Sequence, residues 1–199
     1  MNLDDYRLLF IVITLGLALI FATPLISVLF NLENRLENYS EFWLLGTNHM
    51  ASDYPFNIGE NKEYKIFLGL DNHNGNSEYY MVCVKFSNST EFLPDVNDTI
   101  SSNLPCLYEY RFFVSDDAVW ESDVSFEFED IRVEEDTLFV ENITFNNVYI
   151  PFTASGLWNS EKEGYFFELF FELWHYDVES EGFTFADRLI GLSLNMTAG

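Results

Sequence analysis

The sequence predicts an all-β protein, a β-sandwich standing outside a membrane and preceded by one N-terminal transmembrane helix. Three observations predict it. Residues 8–30, LLFIVITLGLALIFATPLISVLF, carry no charge. The chain after them breaks into short runs rich in Phe, Tyr, Val and Ile, divided by Asn, Gly, Asp and Ser. Five Asn-x-Ser/Thr sequons, at Asn38, Asn88, Asn97, Asn142 and Asn195, all follow the uncharged run.

The uncharged run comes first. A helix needs about 20 apolar residues to cross a bilayer, and Leu8–Phe30 is long enough. A cleavable signal has a shorter apolar core, of roughly 7–15 residues, and small residues at its cut. Cutting after Ala22 puts Ile20 two positions earlier, and cutting after Ser27 puts Leu25 there. The run therefore reads as a retained anchor in the lipid bilayer, loosened or kinked at Pro24. Sequons are glycosylated on the outer or lumenal side, so residues 1–7 are placed in the cytoplasm and the rest outside. Residues 31–41 follow as a juxtamembrane stalk, with Leu32, Leu36 and Tyr39 at helical spacing.

Residues 42–199 form the predicted sandwich. Candidate strands are Phe42–Gly46, Glu63–Asn72, Tyr79–Ser87, Cys106–Val114, Asp123–Val133, Thr137–Phe145, Tyr165–Asp177 and Arg188–Met196. In Tyr165–Asp177 the set Tyr165, Phe167, Leu169, Phe171 and Leu173 points to the core. Phe166, Glu168, Phe170, Glu172 and Trp174 form a mixed outer face. Pro94–Pro105, Phe152–Tyr165 and Ser180–Asp187 read as surface connections.

Composition excludes some functions. With 33 acidic and 9 basic side chains the net charge is -24, which opposes nucleic acid and anionic membrane surfaces as partners. At 48% hydrophobic and 18% aromatic the chain still has ample material for a core. No nucleotide fingerprint, P-loop or nucleophile elbow is present.

The stretch DNHNGNSEYY, Asp71–Tyr80, holds the densest mixture of polar residues. It lies between two of the best strands, and Asn74-Gly75-Asn76 supplies residues that tolerate positive φ, so it reads as a turn. A calcium loop beginning at Asp71 would have His73 and Gly75 at its third and fifth positions, where oxygen ligands belong. Zinc would require His49 or His175 to join His73 through folding.

The block Glu41–Phe86 resembles the extracellular part of archaeal membrane proteins grouped as domain of unknown function 1616. The resemblance rests on EFWLLG (Glu41–Gly46), ASDYP (Ala51–Pro55), GLDNH (Gly69–His73) and YYMVCV (Tyr79–Val84). It covers the anchor and the first half of the exterior part, and is looser after Asn88. It implies a membrane-anchored, immunoglobulin-like β-domain with no established activity, and it supports the turn reading of His73.

Cys83 and Cys106 are the only cysteines. Outside the cell a bridge between them would add about 3 kcal/mol in the chain-entropy view; the alternative is two buried thiols acting as small apolar groups. The acidic groups Asp116-Asp117, Glu127/Glu129/Asp130, Glu134-Glu135-Asp136 and Asp177/Glu179/Glu181 read as solvated surface, with calcium as the sharper alternative. Of Trp43, Trp120, Trp158 and Trp174, Trp158 in a Gly-containing loop is the one placed to stack on a sugar. The composite expectation is a non-catalytic structural or interaction module of the archaeal envelope, with no cofactor or metal. Its alternatives are a surface glycan-binding module, with an aromatic shelf near Trp158, or an accessory subunit of a membrane complex for envelope assembly or glycoprotein processing. The subunit form would use an apolar patch on the sandwich or Gly16 and Ala18 along the anchor.

Overall fold

The computed structural model describes residues 6–7, 10–18, 20–21, 38–94 and 99–197. These fall into two units, Met1–Tyr39 and Ser40–Gly199. In the first unit, the described residues are helical at 6–7, 10–18 and 20–21, with Phe10, Ile11 and Phe21 exposed. Among the described residues no helix is long and apolar enough to cross a membrane. The rest of the predicted anchor, and Leu32 and Leu36 of the stalk, lie outside the described residues.

The second unit is a sandwich of two five-stranded sheets. The strands are β1 (Tyr39–Leu45), β2 (Asn57–Gly59), β3 (Tyr64–His73), β4 (Glu78–Ser87), β5 (Tyr108–Val114), β6 (Ala118–Glu134), β7 (Thr137–Phe145), β8 (Val148–Leu157), β9 (Tyr165–Asp177) and β10 (Gly182–Thr197). One sheet has the order β1-β3-β6-β7-β8, the other β2-β10-β9-β4-β5. The pairing of β2 with β10 is parallel, while β3/β6, β6/β7, β7/β8, β4/β5, β4/β9 and β9/β10 are antiparallel.

Alternation decides which residues enter the core. Ile66, Leu68 and Leu70 on β3, Val124, Phe126 and Phe128 on β6, and Val82, Val84 and Phe86 on β4 are buried between the sheets. The five predicted core positions of β9 are all among them. Inward-facing alternate residues of two sheets are what a sandwich requires.

The strand order is immunoglobulin-like in part. In that arrangement strands A-B-E-D face C-F-G. Here β4, β9 and β10 take the places of C, F and G, with β5 flanking β4, and β1 and β3 take those of A and B. The departure is β6-β7-β8, which steps outward from β3 by two hairpins, so the strand beside β3 is entered first rather than last.

Several boundaries differ from expectation. Tyr39 opens β1 instead of closing a helical stalk, so the sandwich starts three residues before 42. Phe152–Leu157, expected as a loop, completes β8. Pro151 hid it, but β8 is an edge strand, where a residue without an N–H is tolerated. The turn Asn146-Asn147, with both φ positive, joins β7 to β8 in a two-residue hairpin. β10 begins at Gly182 rather than Arg188, because an irregularity between Phe185 and Arg188 carries the strand past Asp187, whose φ is 53°.

Candidate functional site

The outer face of the β2-β10-β9-β4-β5 sheet is where this fold departs from a plain sandwich. Cys83, Lys85 and Ser87 alternate outward on β4, and Glu168, Phe170, Glu172 and Trp174 do so on β9. At one end the segment after β4 folds back over them. Cys83 and Cys106 are bridged, with Cα atoms 5.5 Å apart, which pins that segment to the sheet. Beneath it Lys85 Nζ lies 2.8 Å from Glu172 Oε2, and Glu172 is wholly buried. Lys85 Nζ also donates to Ser102 O at 2.7 Å. Ser102 N donates to Glu172 Oε1 at 2.8 Å, and Trp174 Nε1 to Oε2 at 3.3 Å. Pro94–Pro105 is therefore not merely a surface connection, since Ser102 within it is buried and bonds both ions. Phe170 and Glu172, expected on a mixed outer face, are both buried, and Ser102 of this segment bonds Glu172 directly.

At the other end the same face is aromatic, with one exposed ring and three half-buried ones. Register brings Tyr79 opposite Phe113 and Tyr176 opposite Phe183, so one row crosses β5, β4, β9 and β10. Tyr79 stacks on Phe113 at 4.3 Å, and its ring lies 6.1 Å from Tyr176 and 5.2 Å from Phe183. Phe113, on the edge strand, is 74% exposed. The Arg111 guanidinium sits 5.3 Å over Phe183 and is held by Glu109 Oε2 at 3.0 and 2.6 Å. At strand spacing of about 4.8 Å the row spans roughly 14 Å.

A third cluster answers the question of Asp71–Tyr80. It is a turn: β3 ends at His73, Gly75 takes φ 76°, and β4 begins at Glu78 in the opposite sheet. Asn72 is its fully buried anchor. His73 Nδ1 lies 2.9 Å from Asp117 Oδ1 and its Nε2 3.1 Å from Asp71 Oδ2. The Asp117 hydrogen bond is the largest influence on the imidazole; burial opposes it, and Asp71 reinforces it, so the pKa is raised. Because the folded value lies above the unfolded one, this stabilisation is complete below about pH 6.5 and is lost as pH rises through the folded value. The melting temperature of the native chain therefore falls across that window, and His73→Gln removes this part of the slope. An unchanged slope in thermal scans of the variant contradicts the assignment.

The other expected sites are dispersed. His49 stacks on Phe67 and pairs with Glu121 Oε1 at 3.3 Å, while His175 lies on β9 opposite Tyr80. Among the described residues no three His, Cys, Asp or Glu side chains converge as metal ligands. Trp158 is 46% exposed but set edge-on to Tyr165, and Trp120 stacks on Phe112. Asn38 and Asn88 are exposed, with the Asn88 amide donating to Ser155 O. Asn142 is buried and its amide donates to Asp130; that of Asn195 donates to Asn57. Asn97 lies outside the described residues.

A family model described as a domain of unknown function, DUF1616, matches residues 34–147, more than half of the chain. The chain belongs to this family. The DUF1616 match contains the block Glu41–Phe86 that carries the resemblance; it begins after the predicted anchor and extends beyond Asn88 to residue 147. It includes Tyr79, Phe113, Lys85 and both cysteines, while Tyr176, Phe183 and Glu172 fall outside it. No curated protein matches the chain. Among solved structures it is similar to the CARDB domain of a Pyrococcus furiosus protein, solved with di-metal ions. There the identity is 7%, the TM-score 0.41, and the coverage 81% of this chain and 90% of that one. It is also similar to a β-glucosidase of Listeria innocua, solved with glucose, at 10% identity and TM-score 0.34; the match covers 79% of this chain but 16% of the glucosidase. An ASH/PapD-like domain of human CEP192 matches at 6% identity and TM-score 0.32, over 79% and 84% of the two chains. Likenesses of this size leave the fold to rest on the strand pairings themselves.

Proposed function

We propose that this DUF1616 chain is a non-catalytic, membrane-anchored interaction module of the archaeal cell envelope, and that it docks a partner on its aromatic row. The carrying observation is the row itself. Phe113 is exposed and Tyr79, Tyr176 and Phe183 are half-buried beside it, on a sheet face whose other end is covered. An exposed aromatic ring backed by half-buried ones on a rigid sheet is suited to interface anchoring. The anchoring part of the proposal draws on the uncharged run Leu8–Phe30, and the exterior placement on the sequons and the Cys83–Cys106 bridge. Residues 1–7 then lie in the cytoplasm, and glycans sit on the exposed Asn38 and Asn88. The row favours the accessory-subunit form of the reading over a sugar shelf at Trp158, whose ring is turned edge-on to Tyr165. A nucleic-acid partner does not suit a chain of net charge -24.

The test is recovery of the full chain from native membranes in gentle detergent, with partners quantified by mass spectrometry. The native chain retains a stoichiometric partner. Phe113→Ser, which changes only an exposed ring, lowers the recovered partner about tenfold, the effect of a modest interface anchor. Equal recovery by the variant contradicts docking on the row.

A further inference from the structure

Resting on that docking role, we infer that the occupant of the aromatic row is a cationic segment of a partner polypeptide, one that lays Lys or Arg side chains against the rings. The row is bracketed by acidic turns. Glu179 and Glu181 lie in the turn joining Tyr176 to Phe183, and Asp116 and Asp117 follow β5 after the Phe113 end, each with one carboxylate oxygen engaged, by Gly75 N and by His73. Glu109 stands on the same face of β5, two residues before Arg111. The one cation on this part of the face is Arg111, among the described residues, and both of its bonds to a carboxylate go to Glu109. The rim is thus strongly negative around rings whose faces are themselves the negative side of an aromatic quadrupole.

Arg111 also shows the mode of binding in miniature. Its guanidinium lies over the Phe183 ring at 5.3 Å while Glu109 holds it from behind. A partner's arginine or lysine set against Phe113 would meet a similar combination, a ring face with the second oxygens of Asp116 and Asp117 in the adjoining turn. The net charge of -24 adds long-range steering of a cation and repels a second copy of this chain. A neutral saccharide would gain stacking but nothing from the acidic rim. A row of roughly 14 Å fits about four residues of extended peptide, at about 3.3 Å each.

The experiment titrates the full chain in detergent with a fluorescent peptide alternating arginine and alanine, and separately with maltohexaose. The peptide binds and weakens as salt rises. Phe113→Ser weakens it about tenfold, in the range of a cation–π contact, whereas Tyr149→Ser, an exposed aromatic on the edge strand of the other sheet, leaves it unchanged. Equal loss in both variants, or none in either, means diffuse attraction to an acidic surface and overturns the inference. Maltohexaose binding that Phe113→Ser abolishes overturns it in favour of a sugar. If Phe113→Ser sheds the native membrane partner but excess peptide does not displace that partner, the docking role stands and the cationic occupant falls. If Phe113→Ser keeps the partner, the docking role itself falls.

Discussion

Lys85→Met lowers the stability of the sandwich by about 3–5 kcal/mol, the cost of leaving a buried ion without its counter-charge. Glu172 is wholly buried and accepts from Lys85, Ser102 N and Trp174. Without the ammonium its carboxylate keeps two neutral donors and no positive charge. Ser102 O also loses its donor, so the segment held by the Cys83–Cys106 bridge loosens where it crosses β4 and β9. The double variant Lys85→Met/Glu172→Leu recovers most of the loss, since removing both charges also removes their desolvation. Urea midpoints at constant m-value decide the matter. A single variant within 1 kcal/mol of native, on the order of an exposed pair, contradicts the buried geometry.

Asn72→Leu costs a similar amount, about 3–5 kcal/mol, by a different route. The Asn72 amide donates to Asn76 O at 2.8 Å, Val114 O at 3.0 Å and Ser115 O at 3.3 Å. Its oxygen accepts from Tyr80 at 3.0 Å and from the Asn74 side chain at 2.9 Å. These bonds tie β3 in one sheet to the start of β4 and the end of β5 in the other. Leucine fills the space but leaves several buried groups unpaired, each worth about 1–3 kcal/mol. Tyr80 is among them; burial already pushes its phenol up to about 12. Asn72→Asp separates the two halves of the network, keeping the acceptor and losing the donors to three carbonyls. Denaturant unfolding of both variants measures the loss. A Leu variant as stable as native contradicts the hub.

Much of the sandwich was legible because period-two alternation is a local signal. Tyr165–Asp177 and Thr137–Phe145 are strands with the bounds read from sequence, and the inward set of β9 is the buried one. The turn at Asp71–Tyr80 was legible for the same reason, from Asn-Gly chemistry between two alternating runs. β8 escaped because Pro151 and Gly156 argue against a strand unless its edge position is known, although Asn146-Asn147 marked the hairpin that leads into it.

Alternation assigns a residue to a face but does not say what covers that face. Glu172 therefore read as solvent-facing, and its partner Lys85, 87 positions earlier, carried no local sign of burial. The aromatic row was hidden by register. Tyr79, Phe113, Tyr176 and Phe183 come from four strands, and only the pairings of β5 with β4, β4 with β9 and β9 with β10 set them side by side. Loop composition points instead to Trp158.

The most direct test of the account places a photo-crosslinking residue at position 113 in the full chain, in native membranes, with position 149 as the control. Both positions are exposed aromatics, on edge strands of different sheets. The account predicts one discrete protein adduct from position 113 and none of that mass from position 149. Adducts of the same mass from both positions, or from 149 alone, contradict docking on the aromatic row.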